Sequence, residues 1–299
     1  MRDLFVLLII FLGVSMTSAQ ITLSDSLYRA FDGKGDPVTL DDIVKRMFNA
    51  DVVFLGEEHD DAVGHALEAE LFKRAVGAYS PQRRVALSLE MFERDVQIVV
   101  DEYLEGLITE NHFMSSSRPW PNYKTDYRPL VELAKEKHLD AIAANAPRRY
   151  VNMVSRGGPE SLEGLSKEAK SWLAPLPYPG PSAAYSEKFK KLMAGSGDPS
   201  AGNPRIVLSQ ALWDATMADS VSRFLKRNKG SLVVHLNGGF HTEGRLGTVE
   251  QLLGYRPKTR VIVVTMKSVE DFQKFDRATQ SGLGDFVILT DAKQPKSRK

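Results

Sequence analysis

The stretch Asp51-Val-Val-Phe-Leu-Gly56-Glu57-Glu58-His59-Asp60-Asp61 sets two glutamates and an imidazole directly after an apolar run and a glycine, with His65 and Glu68 close behind. Val52 to Leu55 reads as a short buried strand and Gly56 as the turn point, so the polar groups fall just past a strand end. A second Gly-x-x-His, Gly238-Gly-Phe-His241, also follows an apolar run, and Glu90 ends a third. The carboxyl ends of strands in an open α/β sheet face one crevice, so these sets are expected to converge there. Glu57, Glu58, His59, Glu90, His241 and His65, with Asp60 beside them, form a ligand set for a divalent ion. Imidazole and carboxylate suit zinc, manganese, cobalt or iron, and an open coordination position would activate water for hydrolysis. In that reading Glu57, His59 and Glu90 are the catalytic groups. The competing reading has them capping helices or pairing with Arg94 or Arg148. Gathering so much polarity beside a hydrophobic strand is costly without a purpose, which favours a site for Glu57 and His59. His112, His138 and His235 read as ordinary surface or core histidines.

A second candidate is the loop Ser115-Ser-Ser-Arg118-Pro-Trp120-Pro-Asn-Tyr123-Lys-Thr-Asp126-Tyr127-Arg128. Arg118, Trp120, Tyr123 and Tyr127 together suit a flat or anionic ligand. The alternative is an aromatic cluster capping the next helix.

These groups must be positioned by strands and helices in alternation. Strands are expected at 52–55, 85–93, 139–144, 232–236, 260–266 and 285–290, the last at a sheet edge. A polar lead-in from residue 20 leads to a helix capped by Thr39 or Asp41. Further helices are expected at 62–78, 94–106, 129–137, near 185–193, at 206–226 and at 242–253, with a short one after Leu107 and another after Pro147. The alternation predicts an α/β fold, a mainly parallel sheet flanked by helices on both faces. Residues 157–203, rich in Gly, Pro, Ser and Ala, break the rhythm and read as a helical or loop insertion in one domain spanning 20–299.

The 299 residues carry 39 Lys and Arg against 38 Asp and Glu, a net charge of +1, with no basic stripe, so nucleic acid is set aside. Arg2, the apolar run 4–14 and the small residues before Ala19 read as an export signal over 1–19, placing the mature chain in the periplasm or outside the cell. No later stretch reaches the length of a membrane span. With no cysteine, disulfides, thiolate metal sites and a lipidated cysteine anchor are ruled out. The basic tail from Lys293 reads as a frayed end. A Gly-x-Ser-x-Gly elbow, a dinucleotide fingerprint after the first strand, a phosphate loop and a His-Glu-x-x-His helix are all missing, which argues against a nucleotide enzyme.

Leu55-Gly-Glu-Glu-His59 with His65, Ser88-Leu-Glu90-Met-Phe-Glu-Arg-Asp95-Val-Gln97, Tyr103-Leu-Glu-Gly106, Trp120 with Tyr123 and Tyr127-Arg-Pro-Leu-Val-Glu132, Ala144-Asn-Ala-Pro-Arg148, Gln210-Ala-Leu-Trp-Asp-Ala-Thr-Met-Ala-Asp219 and 235–241 together resemble the ChaN-like haem-binding proteins over about residues 38–266. That family shares a superfamily with Tiki proteases, TraB proteins and erythromycin esterases. The resemblance implies an exported haem-binding protein of haem and iron uptake, a homodimer around paired haems with each iron held by a tyrosine, helped by a His or Lys of the partner. The loop composition singles out Tyr123 and Tyr127 for that role, with Tyr178 and Tyr185 as runners-up. Resemblance to the Tiki branch implies the alternative, a hydrolase of peptides or esters that uses both Gly-x-x-His motifs and a divalent manganese, cobalt or zinc ion. The chain departs from the family's lipoprotein members in having no cysteine after its signal.

Overall fold

The computed structural model describes residues 21–196 and 203–297. The expected signal over 1–19 lies outside the described residues, as do 197–202 of the expected insertion. The chain opens with two strands, β1 (Tyr28–Asp32) and β2 (Pro37–Val38), where a polar lead-in was expected. The other strands are the six read from the apolar runs: β3 (Val52–Glu57), β4 (Val85–Glu93), β5 (Asp140–Asn145), β6 (Leu232–Gly238), β7 (Val261–Val269) and β8 (Phe286–Asp291). They form one eight-stranded sheet in the order β2-β1-β8-β7-β3-β6-β4-β5. From β8 to β5 every pairing is parallel, and β1 joins β8 antiparallel. The expectation that β8 is an edge is therefore corrected. β1 pairs with it along its whole length, Tyr28 opposite Thr290 through Asp32 opposite Phe286.

Alternation along each strand divides the core between the two faces. Val53, Leu55, Leu87, Leu89, Val234, Leu236 and Val264 face α1 (Leu40–Met47), α2 (Ala62–Tyr79), α3 (Gln97–Leu104), α4 (Glu110–Ser117) and α5 (Arg128–Glu136). Further along the chain lie α6 (Arg148–Gly157), α7 (Lys167–Ser171), α8 (Ala183–Ser196), α9 (Pro204–Arg227), α10 (Thr248–Tyr255) and α11 (Arg277–Gln280). On the opposite face Val52, Phe54, Ala86, Val233 and Val263 pack against α9 and α10, while α6, α7 and residues 173–178 bury Val154, Leu162 and Leu173 against Leu212 of α9. The start of α1 is set by a capping box in which Thr39 and Asp42 satisfy each other's backbone N–H.

The tail is not frayed where it is described. Ser297 donates its N–H to the Asp60 carbonyl (2.9 Å), Lys296 pairs with the Asp60 carboxylate (3.3 Å), and Thr290 donates to Asp61 (2.6 Å). The end of the chain thus grips the turn that carries the first motif.

Candidate functional site

β3 and β6 are parallel neighbours in a register that sets Glu57 opposite Gly238, so the two Gly-x-x-His motifs lie side by side at adjacent strand ends. β4 flanks β6 on the other side, and its pairing with β5 shifts between Leu89 and Glu93. Such a bulge re-aims a side chain. Here it turns Glu90 so that its Oε2 accepts the Gly238 N–H at 2.7 Å.

Glu57 is the hub. Its Oε1 accepts from the Tyr127 hydroxyl (2.7 Å) and faces His59 Nδ1 (2.6 Å), and its Oε2 lies 3.1 Å from His65 Nδ1. Burial alone would raise its pKa, but the His65 charge and the hydrogen bonds of both imidazoles outweigh burial and hold it well below the carboxylate range. His65 is itself buried, which disfavours its charge, yet Glu57 and Glu68 push it up to about 11. Glu68, 3.2 Å from His65 Nδ1, is raised by burial and by the Glu57 charge. Charge is thus favoured on Glu57 and His65 and disfavoured on Glu68. Among the described residues, Glu57, His65 and Glu68 are the group whose ligand atoms all lie within 4.8 Å of one another, a geometry compatible with an ion if the His65 proton leaves.

His59 stands above this cluster with its side chain 37% exposed. Its carbonyl accepts from His65 Nε2 and Asn122 Nδ2, both at 3.3 Å, and its ring meets the Trp120 ring edge-on at 4.8 Å. Gly238 is required beneath it: a Cβ there would lie 2.7 Å from His59 Cε1 and 2.8 Å from Nε2. Burial lowers the His59 pKa, but the Glu57 hydrogen bond and the Glu90 charge raise it further. Across Gly238, His241 sets Nδ1 on Asp214 (2.8 Å) and turns Nε2 toward Glu90 at 3.9 Å. Asp214 and Glu90 overcome burial and lift His241 to about 9.

These groups floor a cavity of about 830 Å³. Glu57, Glu58, His59, Asp60, Glu90 and His241 line it on the polar side, with Trp120, Phe189, Leu192, Met193, Ile206, Trp213 and Phe240 supplying apolar walls. Glu58 pairs with Lys267 at 3.1 Å. Glu57 and Glu90 do not pair with Arg94, which is buried against Asp219 (2.9 Å) and Ser220, nor with Arg148 at the cavity wall.

The aromatic loop divides. Trp120 lines the cavity, whereas Arg118 sits outside it in ion pairs with Glu93 and Asp95. Tyr123 and Tyr127 point inward, at 1% and 0% exposure. A π-helical stretch, Tyr123–Tyr127, turns Asp126 and Tyr127 onto the His65 and Glu57 cluster and leaves Tyr123 against Phe92 and Phe113. Tyr178 donates to the Leu208 carbonyl, and Tyr185 packs on Phe240. Among the described residues no tyrosine lines the cavity. His65 and Glu68 lie beneath its floor rather than on it.

Sequence reasoning missed Asp214, Lys267, Asn122 and Asp126. A signal existed for Asp214, one of the polar residues interrupting the apolar face of α9, and for Lys267, another polar residue late in a strand.

Fold and site define an α/β protein with a carboxylate–imidazole crevice at adjacent strand ends. The profile of the haem-binding uptake proteins of the Tiki superfamily, ChaN, matches residues 43–252, and the chain belongs to that family. Its fold is similar to that of ChaN of Campylobacter jejuni, solved with cofacially bound haem, at 18% identity and a TM-score of 0.69 over 89% of this chain and 98% of that one. A Bacillus cereus protein is similar at 11% identity and a TM-score of 0.52, covering 92% and 97%. Among proteins of curated function, none matches the chain by sequence.

Proposed function

We propose that this protein binds haem in its strand-end cavity as an exported component of haem and iron uptake. The observation that carries the reading is the cavity itself. Its 830 Å³ falls within the roughly 300–1,000 Å³ of cofactor sites, and apolar walls stand over a polar floor. Trp120, Trp213, Phe189 and Phe240 offer faces for a porphyrin. Arg148, which makes no ion pair among the described residues, offers charge for its carboxylates. Bound haem would supply an iron centre; the chain's part is to cover the macrocycle, exclude water and orient it. Export rests on the leader read at residues 1–19. Homodimerisation rests on the family resemblance, and Leu192, 53% exposed where α8 borders the cavity, is a residue a second copy would cover.

A second reading, metal-dependent hydrolysis, is favoured by one arrangement, Asp214–His241 facing Glu90 in the cavity. A titration of the purified mature chain with haemin, followed by absorbance, mass measurement and elemental analysis, separates the two. Saturable haem binding with a shift to dimer mass is the expected result. Weak, non-saturating haem uptake by a chain carrying stoichiometric manganese, zinc or cobalt would move the assignment to hydrolysis.

A further inference from the structure

We propose that the protein carries a second site, an anion groove at the end of the sheet opposite the cavity, which takes a phosphate monoester. The groove stands apart from the haem reading. Its volume is about 440 Å³, and Asp51, Ser231 and Thr259, which line it, precede β3, β6 and β7. Glu57 and Gly238 of the cavity end β3 and β6, about 17 Å away along the strands. The charge of the groove is unbalanced. Lys229, Arg256 and Lys258 line it, and none makes an ion pair among the described residues. Asp51, the one carboxylate among the described lining residues, is held by Arg260, whose backbone N–H and Nη2 each donate at 2.8 Å. Behind the wall Arg83 adds a further cation, spent on the Gly230 and Ala50 carbonyls (2.9 Å each) rather than on an acid.

Lys229 and Lys258 are exposed and Arg256 is half-buried, so all three can be reached. Arg256 is the least satisfied of them. No described residue accepts from its guanidinium, and its Nε is buried without an acceptor. Thr259, whose N–H bonds the Arg256 carbonyl (3.0 Å), likewise buries an unpartnered hydroxyl. Buried donors left without acceptors are costly, so an incoming acceptor is favoured. The competing role for these cations is to offset helix C-termini, which attract positive charge. α9 meets that need with Lys226 and Arg227 in its last turn, and α10 with Arg256 just past its end. Lys229 and Lys258 are left over, so the groove keeps charge to spare. One guanidinium and two ammonium groups suit a tetrahedral dianion, and Leu225, Tyr255 and Pro257 give its organic part an apolar wall.

The test is a calorimetric titration of the purified chain with phenyl phosphate, beside co-sedimentation with phosphatidylcholine vesicles made with and without phosphatidic acid. Saturable binding that weakens as salt rises is expected. Arg256→Gln and Lys258→Gln should each bind about tenfold more weakly, while Lys73→Gln, on α2, should bind as the unsubstituted chain does. Circular dichroism checks that each variant is folded. Binding of phenyl phosphate without sedimentation identifies the ligand as a soluble phosphate ester. Sedimentation that requires phosphatidic acid and is reversed by phenyl phosphate identifies a lipid headgroup. The site is overturned by a lack of saturable binding to either probe, by binding that folded Arg256→Gln and Lys258→Gln leave unaltered, or by an equal loss in Lys73→Gln.

Discussion

Glu57 gathers three rings on one carboxylate, and its removal is where the site is most sensitive. Glu57→Ala leaves the His65 cation and the Tyr127 hydroxyl buried without their shared acceptor, so a loss of about 3–5 kcal/mol in denaturant unfolding is expected. Gly238→Ala should behave differently. Gly238 has φ −56° and ψ 133°, open to any residue, so stability should move by about 1 kcal/mol or less. Its new Cβ must displace the part-exposed His59 ring, so ligand binding in the cavity and not the melting curve should change. At this scale the sequence was legible for residue type and placement after strands: Glu57, His59, Glu90 and His241 all reach one crevice. It was not legible for Tyr127. Loop composition says that a ring is present but not whether it faces in or out, and the π-helical turn that decides this has no periodicity to read.

Between elements, the last residues matter more than their composition indicated. Asp61 caps α2 by accepting the Val63 N–H (3.1 Å) and also takes the Thr290 hydroxyl, so one carboxylate ties the end of β8 to the start of α2. Thr290→Val should cost about 1 kcal/mol. Removal of residues 292–299 should leave the melting temperature nearly unchanged but raise amide exchange at 58–64; unchanged exchange there would show that the tail does not steady the turn. The same pairing explains why β1 escaped a sequence reading. Tyr28-Arg-Ala-Phe-Asp32 buries only Ala30 and Phe31, and what makes it a strand is the exposed edge of β8, far away in sequence.

Across the whole molecule two buried histidines set opposite pH limits. His235, wholly buried on Ser88 and Phe54, is lowered to about 3 by burial and by repulsion from His241. The unfolded chain protonates this ring near 6.5 and the folded chain does not until about 3, so its contribution to stability falls as pH drops through that window. His65, raised to about 11, acts in reverse: its contribution is full below about 6.5 and is lost as pH rises toward 11. Melting temperatures should therefore fall on both sides of neutrality. His235→Asn should flatten the limb between pH 6.5 and about 4.5, above the range of ordinary carboxylates; an unchanged slope would mean that other groups govern it. The six main strands and the sheet's parallel character were legible because each strand is a continuous apolar run, whereas strand order was not, since it depends on which gap a late strand fills.

That gap has a consequence in time. β6 lies between β3 and β4, both of which leave the ribosome long before it. Glu57 and Glu90 stand on strands with an empty lane between them until the Leu232–Gly238 segment arrives, bringing Gly238 and then His241. The first half of the chain can gather helices but cannot close its sheet, and the growing polypeptide holds β3 unpaired on both sides and β4 unpaired on one until β6 and β7 arrive. The polar groups of the crevice floor therefore come together only once the Leu232–Gly238 segment is in place.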